Sequence, residues 1–310
     1  MMNAFLRSVL VLSVLGLSAS AFAVPLAPRH YLENATTSVS SFQGYNFDGV
    51  IALSNCSGSL VRFQTSQADD KAMVLTNGHC LANSMGGGMP KPGVVIVDQP
   101  VSRSLYVLNP VDGNKIGSIQ ATKILYATMT KTDMTLYEVS ETYREIETKF
   151  SVHAFTLADR YPSVGEGIEI VSGYWRRGYG CKVDGIVNEL REAGWTMFDS
   201  IRYSRPGCET IGGTSGSPII STGSREIVGV NNTGNESGQK CTMNNPCEVD
   251  ANGTITFEKG LSYGQQTTWV YGCLTSDRKI DLNLADCKLA KPTAAETPRK
   301  PSSNWPSKNR

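Results

Sequence analysis

Histidine, charge imbalance and long apolar segments are all scarce in this sequence. Only three of its 310 residues are histidine, and 29 basic side chains against 28 acidic ones leave a net charge of +1. A chain so close to neutrality presents no polyanion-binding field, so no nucleic-acid partner is expected. After residue 23, no segment is long and apolar enough to span a bilayer, and no integral membrane segment is expected. Cysteines and histidines form no short-spaced cluster of the kind that binds zinc, so neither a metal nor another cofactor is predicted.

The two ends of the chain differ in composition from its middle. Arg7, the apolar run Val9–Leu17 and the small-residue pattern Ala21–Ala23 are typical of a signal peptide over residues 1–23. Residues 24–44 then form an N-terminal segment, which is either retained or removed as a short pro-segment. Residues 288–310 contain six basic residues, one acidic residue and four prolines, a composition that predicts a disordered basic tail.

The eight cysteines are an even number, which is typical of disulfides in an exported protein. A secreted protein, extracellular or periplasmic, is therefore expected. Connectivity does not follow from sequence alone, but proximity along the chain suggests the pairs Cys181–Cys208, Cys241–Cys247 and Cys273–Cys287.

Between the ends, short alternating runs of Val, Ile, Thr and Tyr are separated by Gly, Asn and Ser, a pattern that predicts many antiparallel strands and an all-β fold. Helix signals are few. The charged run Tyr143–Lys149 is interpreted as a solvated face, and Val187–Ala193 is ambiguous. The expected strands are Val50–Leu53, Ser59–Phe63, Val94–Val97, Leu105–Leu108, Thr135–Val139, Ile168–Val171, Ile219–Ile220, Ile227–Val230 and Thr254–Phe257.

Ser215 is the candidate nucleophile, because it lies in the segment Gly212–Pro218 with a glycine close on either side. Glycines permit a tight turn and the close approach of a substrate carbonyl. The amide groups of Gly213 and Ser215 can then converge on the oxygen of a tetrahedral intermediate. A plain surface loop is the alternative interpretation of a segment so rich in Gly and Ser.

A serine hydroxyl needs a base, and histidine is the side chain best suited to that task near neutral pH. His79 follows an apolar strand. His30 lies close to the expected mature N-terminus, and His153 lies between two apolar stretches with no polar partner in sequence, so both are interpreted as structural. Asp133, at the start of another alternating strand, is the candidate acid that would orient the imidazole ring.

The chain order His79, Asp133, Ser215 distinguishes between the folds that carry this triad. No histidine follows Ser215, which excludes the α/β-hydrolase order, and no convincing acidic motif precedes His79, as a subtilisin-like order would require. The remaining order is that of the chymotrypsin-like serine peptidases. Over residues 45–275 the chain resembles this family at Cys56–Val61, Thr76–Cys80, Asp133–Leu136, Gly165–Tyr174 and Gly229–Asn231.

The resemblance implies two packed six-stranded antiparallel β-barrels with the active site in the cleft between them. Residues 45–150 would form the first barrel and residues 151–287 the second barrel with a C-terminal extension; it also implies a Cys56–Cys80 disulfide. The implied activity is that of an endopeptidase acting on proteins or peptides through an acyl-enzyme, and a monomer is expected. A catalytically silent binding protein and a serine esterase are the alternatives.

Substrate preference is left open by the motifs. Glu209 and Thr210 stand where the trypsin branch has the Asp and Ser of its primary pocket, which would favour cleavage after Lys or Arg. However, Ile211 replaces the cysteine that frames that pocket. Gly229–Asn231 resembles the strand that binds the substrate backbone, so Asn231 is a candidate substrate-binding residue together with Glu209 and Thr210. The glutamyl-endopeptidase branch, which the Ser-Gly-Ser-Pro ending resembles, has a substrate-binding histidine where this chain has Asn231, and that argues against an acidic preference.

Thr214 precedes the nucleophile, where digestive enzymes have an Asp that pairs with a newly cut N-terminal amine. The resemblance therefore predicts an oxyanion hole that forms without N-terminal insertion.

Glu248–Ile255 allows two interpretations. Its alternating oxygen-bearing side chains before a glycine are similar to a calcium-binding loop, and its Asn252-Gly253 pair is typical of a hairpin turn.

Overall fold

The computed structural model describes residues 44–81 and 88–292, and the all-β prediction is confirmed. The predicted signal peptide, nearly all of the segment 24–44 and His30 lie outside the described residues. Within the described part of the chain, no helix has the length and apolar character needed to cross a membrane.

Six strands close the first barrel through the antiparallel pairings β1–β4, β4–β5, β5–β6, β6–β3, β3–β2 and β2–β1. Its interior is filled by aliphatic side chains such as Leu60, Val74 and Leu105, each at most 1% exposed. The strands are β1 Val50–Ala52, β2 Ser57–Arg62, β3 Lys71–Thr76, β4 Val95–Leu108, β5 Lys115–Thr128 and β6 Met134–Thr142.

Six further strands close a second barrel through the antiparallel pairings β12–β11, β11–β8, β8–β9, β9–β10, β10–β15 and β15–β12. Its core includes Ile170, Ile201 and Ile219, which are fully buried. The strands are β8 Gly167–Ser172, β9 Arg177–Glu192, β10 Trp195–Tyr203, β11 Pro218–Ser221, β12 Glu226–Gly234 and β15 Ser262–Gln266.

A short strand, β7 (Phe155–Leu157), joins the two barrels because it pairs in parallel with β2 on one side and β12 on the other. The barrels are therefore connected by a continuous hydrogen-bonded ladder and by a shared apolar cluster. This arrangement leaves a cleft between the loops of the two barrels.

The charged run Tyr143–Lys149 was interpreted as a solvated face, and it forms most of the helix α1 (Tyr143–Phe150), which has one buried side as well as an exposed one. Thr142 and Glu145 form a capping box, which satisfies two backbone N–H groups at the start of the helix. Tyr143 and Ile146 are buried against the first barrel while the charged residues face outward.

The Glu248–Ile255 segment forms a hairpin between β13 (Cys247–Val249) and β14 (Ile255–Thr256). Asp250 accepts hydrogen bonds from the backbone N–H groups of Asn252 and Thr254, both at 2.8 Å, and so closes the turn itself. The Glu248 carboxylate accepts a hydrogen bond from the Arg202 guanidinium at 2.7 Å. These contacts favour the hairpin interpretation over a calcium loop. Within the predicted strand Thr254–Phe257, Ile255–Thr256 is a strand, but it pairs with β13 and lies outside the second barrel, to which it was expected to belong.

Four disulfides join the cysteines in the pairs that the resemblance and chain proximity predicted, namely Cys56–Cys80, Cys181–Cys208, Cys241–Cys247 and Cys273–Cys287.

The disordered tail was predicted to begin at residue 288, but the folded part of the chain continues past this residue. Leu289 and Ala290 are buried in the shared apolar cluster, and the carbonyl of Ala290 accepts a hydrogen bond from the Tyr126 hydroxyl at 3.2 Å. Two apolar residues between the basic residues Lys288 and Lys291 thus continue the fold, and residues 293–310 lie outside the described part.

Candidate active site

His79 lies in a 3₁₀ turn directly after β3, held by the residues on its N-terminal side. Thr76 donates from its hydroxyl to the carbonyl of Ser57 at 2.7 Å, and Asn77 donates from its amide to the carbonyl of Asp133 at 2.8 Å. At Gly78 a Cβ atom would overlap the carbonyl oxygen of Thr128. Asn77 and Gly78 are therefore each required locally, Asn77 for its hydrogen bond to Asp133 and Gly78 for the space beside Thr128.

Asp133 contacts His79 twice. Its Oδ2 lies 2.8 Å from Nδ1 of the ring, and its Oδ1 accepts the backbone N–H of His79 at 3.0 Å. Asp133 is only 2% exposed, so the carboxylate interacts with the ring with little screening by water. Burial lowers the pKa of His79, but the charges of Asp133 and Glu192 and the Asp133 hydrogen bond outweigh it, and the net pKa is raised.

Ser215 lies in a loop that is fixed by several hydrogen bonds. Its carbonyl accepts from the backbone N–H of Ser57 at 2.8 Å, and its hydroxyl donates to the carbonyl of Asn232 at 3.2 Å. Gly213 and Gly216 have φ angles of +88° and +81°, which L side chains rarely adopt. The glycines noted in the sequence thus permit the backbone conformation that presents Ser215.

A cavity of about 350 Å³ brings the three candidate catalytic residues together. His79 and Asp133 enter it from the first barrel and Ser215 from the second. Its remaining walls come largely from β9, β10 and β12 and from the segments 209–212 and 259–262. His153 lies outside this cavity, with Nδ1 3.0 Å from Asp48 Oδ2.

Two of the three predicted substrate-binding side chains reach the cavity. Glu209 and Thr210 line it, but Glu209 is exposed and accepts the backbone N–H of Gly207 at 2.9 Å, so it is not a carboxylate buried at the foot of a slot. Asn231 does not reach it: its side chain is 1% exposed and donates to the carbonyl and hydroxyl of Thr214 at 3.0 and 3.1 Å. The next residue, Asn232, lines the cavity instead.

Glu192 is a site residue that the sequence did not reveal. It lies at the end of β9, is 8% exposed and lines the cavity with His79. Burial raises its pKa, partly opposed by hydrogen bonds from Thr233 and from the backbone N–H of Asn244, the latter at 2.7 Å. No local motif marks this residue, because β9 and β10 bring it to the cleft only after they pair.

The family model for the trypsin-like peptidase domain matches residues 56–230. Comparison of the sequence with curated proteins finds no significant match.

Similar solved structures include the active form of the Rv3671c protease from M. tuberculosis, with 13% identity, TM-score 0.45 and coverage of 91% of this chain and 98% of that one. The apo MamO protease domain from Magnetospirillum magneticum has 12% identity, TM-score 0.44 and coverage of 74% and 97%. A Glu endopeptidase in complex with MPD has 18% identity, TM-score 0.41 and coverage of 75% and 90%. Because the family model spans more than half of the 310 residues, the chain belongs to the trypsin-like peptidase domain family.

Proposed function

We propose that this protein is a secreted serine endopeptidase that cleaves peptide bonds through an acyl-enzyme. The observation that carries the proposal is the 2.8 Å contact between His79 Nδ1 and Asp133 Oδ2 in the same cavity as Ser215. A carboxylate at Nδ1 leaves Nε2 as the ring nitrogen that can accept a proton from the nucleophile. The four disulfides support export to an oxidising compartment.

In the first half of the reaction, the Ser215 oxygen attacks the scissile carbonyl while His79 takes the hydroxyl proton. The hydroxyl must first leave its hydrogen bond to the Asn232 carbonyl, a rotation about one side-chain bond. The backbone N–H groups of Gly213 and Ser215 stabilise the negative oxygen of the tetrahedral intermediate. His79 then gives its proton to the departing amine, and the acyl-enzyme forms.

In the second half, water takes the place of the amine. His79 removes a proton from water, which attacks the acyl carbonyl, and the returning proton frees the Ser215 oxygen. Asp133 stabilises the imidazolium in both halves and keeps the ring in one tautomer. Because His79 acts as a base only when neutral and its pKa is raised, activity should fall as pH falls through that pKa.

Fluorophosphonate labelling followed by a casein assay tests the proposal. A serine endopeptidase is labelled at Ser215 and cleaves casein, and Ser215→Ala loses both properties while its circular dichroism spectrum is unchanged. His79→Ala should lower turnover by about 10⁴-fold or more, since the two residues act as a unit. Absence of labelling would indicate a silent binding protein, and labelling with ester but not peptide hydrolysis would indicate an esterase.

A further inference from the structure

Trp175 contacts the loop that precedes the nucleophile. It lies in the turn between β8 and β9, and its indole Nε1 donates a hydrogen bond to the carbonyl oxygen of Gly212 at 2.8 Å. The ring of Tyr174 packs edge-on against that of Trp175, with centroids 4.9 Å apart. Trp175 is 48% exposed, so its hydrogen bond to the loop is not explained by burial in the core.

The hydrogen bond fixes the orientation of one peptide group. Arg205–Pro206 is the cis bond found in the described part of the chain, and the Gly212–Gly213 peptide is trans. In a trans peptide the C=O and N–H vectors point in opposite directions. An indole that holds the Gly212 carbonyl therefore directs the Gly213 N–H away from the two aromatic rings. That N–H is one of the two proposed donors to the oxyanion.

The loop needs such a constraint because two successive glycines give it unusual freedom. Downstream, Thr214 is held firmly, since its carbonyl and hydroxyl accept from the Asn231 amide. Upstream, the Gly212 carbonyl is held by Trp175. A Cβ atom at Gly213 would lie 2.8 Å from the indole nitrogen, so the glycine also permits the close approach of this ring.

Trp175 is itself held by a small polar network that reaches the first barrel. Its backbone N–H donates to the Ser172 hydroxyl at 3.2 Å, and the backbone N–H of Tyr174 donates to the Ser57 hydroxyl at 3.1 Å. The two hydroxyls are buried and lie 3.0 Å apart. Ser57 also donates its backbone N–H to the carbonyl of Ser215. Ser57 and Ser172 thus fix the positions of the indole and of the Ser215 loop relative to each other.

We propose that Trp175 is a positioning residue that keeps the Gly213 N–H directed at the oxyanion. This inference rests on the proposed peptidase function. It supplies a physical means of ordering the oxyanion hole in a chain where Thr214 cannot form the ion pair used by digestive enzymes. The indole acts on the peptide group and does not touch the reacting atoms.

Trp175→Phe tests the proposal, because phenylalanine retains an aromatic ring but lacks the N–H donor. The matched control is Trp269→Phe, which removes an indole N–H that donates to the Tyr161 hydroxyl at 2.7 Å, remote from the cavity. Thermal unfolding establishes that each variant is folded. Removal of one oxyanion donor costs about 10²- to 10³-fold in kcat, so a variant that only loosens a donor should lose about tenfold or more.

Three readouts separate positioning from a general structural effect. For Trp175→Phe we expect kcat on a peptide amide to fall with KM nearly unchanged, and the affinity for a peptide aldehyde, whose adduct carries an oxyanion, to fall by a similar factor. The pH profile should not move, because His79 is not involved. Equal kcat and aldehyde affinity in Trp175→Phe and wild type would overturn the inference while leaving the peptidase proposal intact. A wild-type protein that does not react with fluorophosphonate would overturn both.

Discussion

Removal of the Cys56–Cys80 disulfide is expected to lower the free energy of unfolding and, for a different reason, to lower kcat. This bridge closes a segment with a sequence separation of 24, for which loop-closure entropy gives about 3.5 kcal/mol of stabilisation. Cys273–Cys287 closes a separation of 14 and is worth about 3 kcal/mol by the same relation. The double substitution of either pair by alanine should therefore lower the free energy of unfolding by similar amounts.

The two pairs differ in their relation to the active site. Cys80 follows His79 directly, and Cys56 precedes Ser57, which accepts the Thr76 hydroxyl and donates its N–H to the Ser215 carbonyl. The Cys56–Cys80 bridge therefore connects the turn that carries His79 to the strand that holds the Ser215 loop. The other bridge lies at the C-terminal side of the second barrel, away from the cavity.

Urea unfolding followed by tryptophan fluorescence measures the stability change, and kcat on a peptide amide without denaturant measures function. We expect both double variants to lose about 3 kcal/mol, and only Cys56→Ala/Cys80→Ala to lose activity while still folded. A loss of less than about 1 kcal/mol would refute the entropy argument. Equal kcat in the two double variants would refute the argument that the bridge positions His79.

Three further predictions concern the cleft. Glu192→Gln removes a negative charge that raises the pKa of His79, so the acid limb of the kcat/KM profile should move to lower pH; an unmoved limb would contradict this. Gly216→Ala introduces a Cβ that overlaps the carbonyl of Ser57, at a φ of +81°, and should abolish labelling by fluorophosphonate and lower the melting temperature. Glu209 is exposed, so Glu209→Gln should reduce cleavage after Arg by less than about tenfold, with a smaller effect in high salt; a larger, salt-independent loss would show a desolvated pocket carboxylate.

Features encoded within a few residues were predictable from the sequence. The apolar run before His79 predicts a strand, and the glycines around Ser215 permit the positive φ angles of its loop. The order of these segments along the chain indicated the fold. Capping of α1 was also local, since Thr142 and Glu145 are three residues apart, but the charged side chains around Tyr143 and Ile146 concealed the buried positions of the helix.

Features that depend on long-range pairing were not predictable in this way. Glu192 reaches the cleft because β9 and β10 extend from the second barrel, and Lys131 on the first barrel then pairs with Met197. Trp175 meets Gly212 across 37 residues of sequence. Asn231 was predicted to bind substrate because it lies on β12, a strand that follows Ser215. Side chains alternate between the two faces of a strand, and that of Asn231 lies on the face that hydrogen-bonds to Thr214.

The contact between Ala290 and Tyr126 has a consequence for biosynthesis. A chain made from its N-terminus exposes all six strands of the first barrel long before residues 289 and 290 leave the ribosome. The apolar cluster that contains Tyr126 of β5 is therefore completed only by a segment that is synthesised after the whole second barrel. A chain that stopped short of this segment would keep His79, Asp133 and Ser215 but would lack residues that cover one side of the first barrel. Residues 289 and 290 therefore couple the C-terminal end of the described chain to the first barrel, and their truncation should destabilise a barrel that lies far from them in sequence.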